Sequence, residues 1–372
     1  MRAIVVECNI PKVPSRVEEV ASMARNIGYN VLEIIVQKRE SVHHSTCVGP
    51  GKLTEIRKVV EEKGIEFVIF ANTLPSSQVF KVQKGLGGDV KVIDRNLLIL
   101  EVFDKRAMTK EAKLQIRLAR LRYTFSWGRE FLRLEGILGE QVGWSGPGDY
   151  PYSEYEREAR KRISRLEAEL RDLYKKKGLL RERRRELGFP IVALAGYTQS
   201  GKTTFFNRVA SEGKNVGLGP FTTLSTVARR VIIPSSGSNT EFILVDSIGF
   251  IEDMHPTILK AFNTTLGEIV QADLILLFVD ASDDLSLLRR KLASTDKTLR
   301  QTGATSKIII CCNKIDQVSR EHFEMVLKEI RLRFPGVAFS EISALTGAGV
   351  DGLLSEVASE LRRTIPIQAS AA

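Results

Sequence analysis

The stretch "PIVALAGYTQSGKTTFFNRVA", residues 190–210, decides how the rest of the chain is read. Its first part, "PIVALA", is a short apolar run of strand length, and "TTFFNRVA" opens a helical pattern. Between them Gly196 and Gly201 bracket a turn with the spacing G-x-x-x-x-G-K-[ST]. In that geometry the backbone N–H groups of Tyr197, Thr198, Gln199, Ser200, Gly201, Lys202, Thr203 and Thr204 surround an anion at a helix N-terminus. Lys202 is placed to reach the outer phosphates of a nucleotide, and the Thr203 hydroxyl to bind Mg²⁺. The strand–loop–helix context is the one this spacing requires.

Downstream, short motifs follow in a fixed order. "FILVDSIGF" (242–250) ends a strand in D-x-x-G, with Asp246 expected to hold Mg²⁺ and Gly249 to offer a bare backbone N–H to the terminal phosphate. "KIIICCNKID" (307–316) gives N-K-x-D after an apolar run, and "SAL" (343–345) precedes the last helical pattern. A carboxylate at Asp316 matches the N1–H and N2–H₂ donors of guanine, and adenine has no such pair. If Asp316 is buried, the wrong base leaves it unpaired, and such sites can discriminate by about 10⁴-fold or more. Asn313 and Lys314 are expected to buttress the base. Ser343, Ala344 and Leu345 are expected to offer backbone N–H to its oxygen. Several tetrapeptides would arise by chance in a chain of 372 residues, but motifs at the carboxyl ends of successive strands, where open α/β sheets bind ligands, indicate one site. The nucleotide pair implied is GTP and GDP.

Upstream, residues 1–109 alternate strand and helix patterns. "AIVVEC", "NVLEIIVQ", "EFVIFA" and "DVKVID" read as strands, with helices around 15–27, 52–63 and 75–85, which predicts an α/β layer domain with a mostly parallel sheet. Within it "VGPGKLTE" (48–55) sets a Gly-Lys pair at a helix start without the full phosphate-loop spacing, so a tight turn is the default reading.

From residue 110 the apolar period changes. Leu114, Leu118, Leu121 and Phe125 form one helical stripe, and Ile163, Leu166, Leu170 and Leu173 a second. The two predict an antiparallel helical linker over 110–188, joined by a long Gly-rich, aromatic loop at 136–156. This segment carries 20 Lys/Arg against 13 Asp/Glu, and so most of the formal net charge of +10. Localised basic excess beside exposed rings is what RNA contact needs; a solvated helical face is the plain alternative. Residues 189–372, the third region, balance 19 Lys/Arg with 19 Asp/Glu.

Other classes are excluded or unsupported. "LILLFVDAS" (274–282) is too short for a membrane span and contains Asp280, so it reads as a buried strand. No signal-peptide pattern opens the chain, and a cytoplasmic protein is expected. Cys8, Cys47, Cys311 and Cys312 have no zinc or disulfide spacing and are expected to be buried, reduced thiols.

Taken together, "GYTQSGKTTFFNRV", "PFTTLS", "VDSIGFIEDMHPTILKAFNTTLGEI" and "ADLILLFVDAS" resemble the Ras-like P-loop GTPases. With the upstream "VGPGK", "AKLQIRLARLRY" and "GPG", they resemble the HflX family over nearly the whole chain. The resemblance implies an N-terminal α/β domain, a helical linker and a C-terminal GTPase domain. It also implies Mg²⁺ as cofactor and the large ribosomal subunit and its RNA as partner, with a role in splitting or rescuing ribosomes. Catalytic roles carry over to Lys202, Gly249 and the switch threonine, which falls on Thr223 with Thr222 the competing choice; Thr223 joins Thr203 and Asp246 at the metal. Gln199 stands where the family usually has Asn, so no potassium dependence carries over. Phe250 follows the D-x-x-G glycine where many Ras-like enzymes have a water-orienting glutamine, which predicts slow hydrolysis by the isolated chain and stimulation by large subunits. Two other readings stay open: a regulatory GTP switch for a protein or RNA-remodelling partner, and a second, ATP-dependent RNA-remodelling activity in residues 1–109. A monomer is the expected state.

Overall fold

The computed structural model describes residues 1–11, 13–87, 90–107, 109–139, 149–186, 189–210, 227–234, 239–246, 249–250, 255–258, 270 and 272–364. The chain divides into two compact units, residues 1–172 with 255–261, and residues 173–254 with 262–372.

The first unit begins β1 (Arg2–Asn9), α1 (Val17–Asn26), β2 (Asn30–Lys38), α2 (Pro50–Lys63), β3 (Phe67–Phe70), α3 (Ser76–Leu86) and β4 (Lys91–Asp94). Its four strands pair in the order β2-β1-β3-β4, all parallel. The anticipated strands and helices are present to within a few residues. The following run "RNLLILEVFDKR" is a helix, α4 (Arg95–Arg106), to which the sequence pattern assigned no element. Its continuous apolar run carries no helical period because Leu98, Ile99, Leu100, Val102 and Phe103 are all wholly buried. What starts it is a cap: Asp94 Oδ1 accepts from the Leu97 N–H at 3.0 Å.

The polar groups at the carboxyl end of this sheet are engaged by the chain itself. Asp94 Oδ2 accepts from the Leu74 N–H at 3.2 Å and from the Tyr123 hydroxyl at 2.5 Å. Asn72 bonds both backbone groups of Cys8, at 2.8 and 2.9 Å. Glu7 accepts from the Ser15 hydroxyl and the Arg16 N–H.

The middle of the chain forms α5 (Lys110–Gly139) and α6 (Asp149–Glu186). Arg122 on α5 pairs with Glu167 on α6 at 2.5 Å, while Phe125 stacks on Tyr155. Moving up one helix means moving down the other, so the pair is antiparallel, as the two stripes require. The expected loop at 136–156 is shorter than its glycines suggested, because helix occupies 136–139 and 149–156. Residues 140–148 lie outside the described residues.

The second unit holds β5 (Ile191–Gly196), α7 (Lys202–Val209), β6 (Val227–Ile233), β7 (Thr240–Asp246), β8 (Leu274–Asp280), α8 (Leu285–Thr302), β9 (Lys307–Asn313), α9 (Arg320–Arg333), β10 (Ala338–Glu341) and α10 (Val350–Thr364). Six strands pair in the order β10-β9-β8-β5-β7-β6, and only β6 runs antiparallel to its neighbour. β5 and β8 are buried almost throughout, which is why they read as unbroken apolar runs. Phe205 on α7 joins Phe242 and Phe278 in the core of this unit. All four cysteines are buried and free, as expected. Among the described residues no helix is long and apolar enough to cross a membrane.

Candidate nucleotide site

The register of the parallel strands brings the motifs to one edge of the second sheet. Leu194 lies beside Asp246, Gly196 beside Phe278, Asp280 beside Asn313, and Cys312 beside Glu341. The carboxyl ends of β5, β7, β8, β9 and β10 therefore converge, and Gly196, Asp246, Asn313 and Ser343 come from four different strand ends.

The phosphate loop has the backbone its sequence demands. Gly196, Gln199 and Gly201 all take positive φ, at 132°, 65° and 93°. A Cβ at Gly196 would run into the Phe278 carbonyl, and one at Gly201 into the Asn313 amide. Thr198 and Ser200 are buried, and the Ser200 hydroxyl closes the turn on the Tyr197 carbonyl at 2.8 Å. Thr204 follows half-buried on the first turn of α7. Lys202 sits inside the loop, its Nζ donating to the carbonyls of Gly196 at 3.0 Å and Tyr197 at 2.6 Å. Burial pushes its pKa down to about 8, against the pull of Asp246 and with a further push from Lys291.

Thr203 donates its hydroxyl to Asp246 Oδ2 at 3.1 Å, and Asp246 is wholly buried. Two hard oxygen donors at one point beside a phosphate loop are a donor set that suits Mg²⁺. Gly249 lies against the loop, where a Cβ would come within 2.8 Å of Thr198 Cα. Thr223, the third expected metal and switch residue, lies outside the described residues, as do Ser247 and Ile248.

The base end is built around Asn313. Its Nδ2 donates to the Ser200 carbonyl at 2.7 Å, and its Oδ1 accepts from the Ala344 N–H at 2.8 Å, so one buried side chain ties the phosphate loop to the loop at 343–345. Ser343 is wholly buried and shapes that loop, its Oγ accepting from the Thr346 N–H at 3.1 Å. Lys314 pairs with Asp280, whose other oxygen holds Ser282. Asp316 corrects an expectation: on its 3₁₀ turn it is exposed rather than buried. A base read by Asp316 would itself have to cover this carboxylate before mismatch becomes costly.

Two contributors, Lys291 and Arg208, were not read from the sequence, nor was the way Phe250 joins the loop. Phe250 is joined to the loop as a short parallel bridge: its N–H donates to the Gly196 carbonyl at 2.9 Å, and its carbonyl accepts from the Thr198 N–H at 3.1 Å. The Phe250 residue is 4% exposed. Lys291 on α8 stands over the Tyr197 ring and grips Asp283 with both contacts at 2.7 Å. Arg208 on α7 bonds the loop at 344–345. Asp280 carried a visible signal, a charge closing an otherwise apolar strand; Lys291 and Arg208 carried none, since a basic residue on an amphipathic helix has no distinguishing pattern.

Family models match along the chain in sequence order: a GTP-binding GTPase N-terminal region over 14–104, a GTP-binding GTPase middle region over 106–184, and a 50S ribosome-binding GTPase over 191–314. The GTPase HflX of Thermococcus kodakarensis is 36% identical over 98% of this chain and 81% of its own length. That of Escherichia coli is 31% identical over 92% of this chain and 78% of its own. Among solved structures, the SsGBP and GDP complex aligns over 97% of this chain and 99% of that one, with a TM-score of 0.52 and 25% identity. With three consecutive domain matches and relatives above 30% identity over most of the chain, the chain belongs to the HflX family of GTPases.

Proposed function

We propose that this GTPase works with Mg²⁺ and couples GTP binding and hydrolysis to engagement of the large ribosomal subunit, in splitting or rescuing ribosomes. The observation that carries the reading is the convergence of Gly196, Lys202, Thr203, Asp246, Gly249 and Asn313 at one sheet edge. In this reading Lys202 turns from the loop carbonyls to the outer phosphates, and the N–H groups of 197–204 hold the phosphate chain. Thr203, Asp246 and Thr223 hold Mg²⁺, which neutralises charge on the phosphates. Asp316 and the loop at 343–345 select guanine. Thr223 and Gly249 report the terminal phosphate, and hydrolysis releases both segments. The N-terminal domain, residues 1–109, and the basic linker, 110–188, face the ribosome, and the chain acts in the cytoplasm.

A buried Phe250 cannot orient water through its ring, so the isolated protein is expected to hydrolyse GTP slowly. The test is single-turnover hydrolysis with and without purified large subunits, together with co-sedimentation under GDP and a non-hydrolysable GTP analogue. Stimulated hydrolysis and analogue-dependent binding are expected. Fast turnover by the protein alone, or equal sedimentation in both nucleotide states, would overturn the coupling and favour a regulatory switch for another partner.

A further inference from the structure

The last turn of α7 carries Arg208, on the same short helix whose first turn holds the phosphate loop. Its Nε donates to the Ala344 carbonyl at 2.8 Å, and an Nη donates to the Leu345 carbonyl. Two successive carbonyls held by one guanidinium is a fork geometry, which an ammonium cannot reproduce. The loop leaves room for it: Gly347 takes φ 96°, and a Cβ there would come within 2.7 Å of Arg208 Nη1.

The consequence follows from peptide planarity. In a trans peptide the C=O and the following N–H point in opposite directions, so a fixed carbonyl fixes the next amide. Holding the Ala344 carbonyl aims the Leu345 N–H away from Arg208. Holding the Leu345 carbonyl aims the Thr346 N–H, which donates to Ser343 Oγ. The Ala344 N–H is engaged by Asn313 from the other side. Arg208 and Asn313 thus grip opposite edges of the loop, and Leu345 supplies the amide between them.

We propose that Arg208 is a positioning residue for base recognition, orienting the loop amide of Leu345 that donates to the 6-oxygen of guanine. The inference rests on the guanine reading of the site and names the device that sets one of its donors. Guanine selection then has two independent parts: Asp316 reads N1–H and N2–H₂, and the loop that Arg208 holds reads the oxygen.

The experiment pairs Arg208→Ala and Arg208→Lys with two Mg²⁺-bound nucleotides, GTP and 6-thioguanosine triphosphate. The thio analogue keeps both donors facing Asp316 and replaces the oxygen with sulfur, a poor acceptor. Arg208→Ala is expected to weaken GTP roughly three- to ten-fold, chiefly through faster dissociation, and the thio analogue less than about two-fold. Arg208→Lys is expected to recover only part of the loss. Circular dichroism and thermal melting establish that both variants fold, as a substitution of an exposed helical side chain should allow. Equal losses for both nucleotides would overturn the proposal and leave a general structural role; unchanged GTP binding would overturn it outright. If the unmodified protein itself fails to prefer GTP over ATP, the guanine reading has failed, and that outcome is separate from either of these.

Discussion

The two sheets of this chain begin from similar ingredients and end differently. Each is built on parallel strands, each ends a strand in a buried aspartate, Asp94 or Asp246, and each sets a Gly-Lys pair at the start of a helix. In the first, Gly49 takes an ordinary extended conformation, Pro50 begins α2, and Lys52 turns to Glu55 at 2.6 Å. Asp94 caps its own helix and takes the Tyr123 hydroxyl. In the second, three positive-φ residues bend the loop into a cradle, and the aspartate is bonded by the threonine that follows the lysine. Layer architecture alone therefore does not make a phosphate site. The backbone conformation between the two glycines does, and it is read in their spacing.

The sharpest way to break this comparison is to remove both lysines in turn. Lys202→Ala is expected to weaken GTP binding by about 100-fold or more, since it deletes the buried charge that would turn from the loop carbonyls to phosphate, while Lys52→Ala is expected to leave GTP binding unchanged by calorimetry. A loss of ATP or GTP binding from Lys52→Ala would make the first sheet a second nucleotide site. Next in size is Asp316→Asn. Its amide can donate to the oxygen that replaces the 2-amino group in xanthine, so GTP should weaken by about 100-fold and xanthosine triphosphate should improve. GTP binding equal to the unmodified protein would remove Asp316 from base recognition.

A smaller effect follows from the buried ammonium. Lys202 has its pKa lowered by burial from 10.5 to about 8 in the folded protein. Below pH 8 it is charged in both folded and unfolded chains, and the burial penalty is carried in full. Between pH 8 and 10.5 the unfolded chain binds more protons, so this group makes stability rise with pH, while affinity for a phosphate that needs the charge falls. Chemical denaturation and GTP titration over that window should move in opposite directions, and Lys202→Met should abolish both trends. Smallest is the basic end of α6. Neutralising Arg183, Arg184 and Arg185 should flatten the salt dependence of ribosome binding by up to about three log units per log unit of salt, with GTP affinity unchanged. An unaltered slope would make this run a solvated helix end.

Much of this was legible because local rules and the final fold agree. Buried parallel strands leave apolar runs, and a phosphate loop leaves its glycines at fixed spacing. Legibility failed where a choice depends on what packs against a segment. The run at 95–106 gave no helical period because it is buried on nearly every side. Asp316 sits on a turn that the Ile315 N–H ties to the Ile342 carbonyl, a partner distant in sequence. Arg208 and Lys291 act across distances in sequence of more than ninety residues, and nothing in their local pattern marks such partners.

The short bridge between Tyr197 and Phe250 also bears on how force travels through the enzyme. Two backbone hydrogen bonds, in register and side by side, make Phe250 a continuation of the phosphate loop rather than a neighbour of it. A tug on Phe250 from outside is shared first by the Gly196 carbonyl and the Thr198 amide, at the turn of the phosphate loop. The junction behaves as a rivet of two bonds. While both hold, Phe250 and the loop move as one piece of backbone. When they part, the link between Phe250 and the loop is lost in one step rather than by degrees.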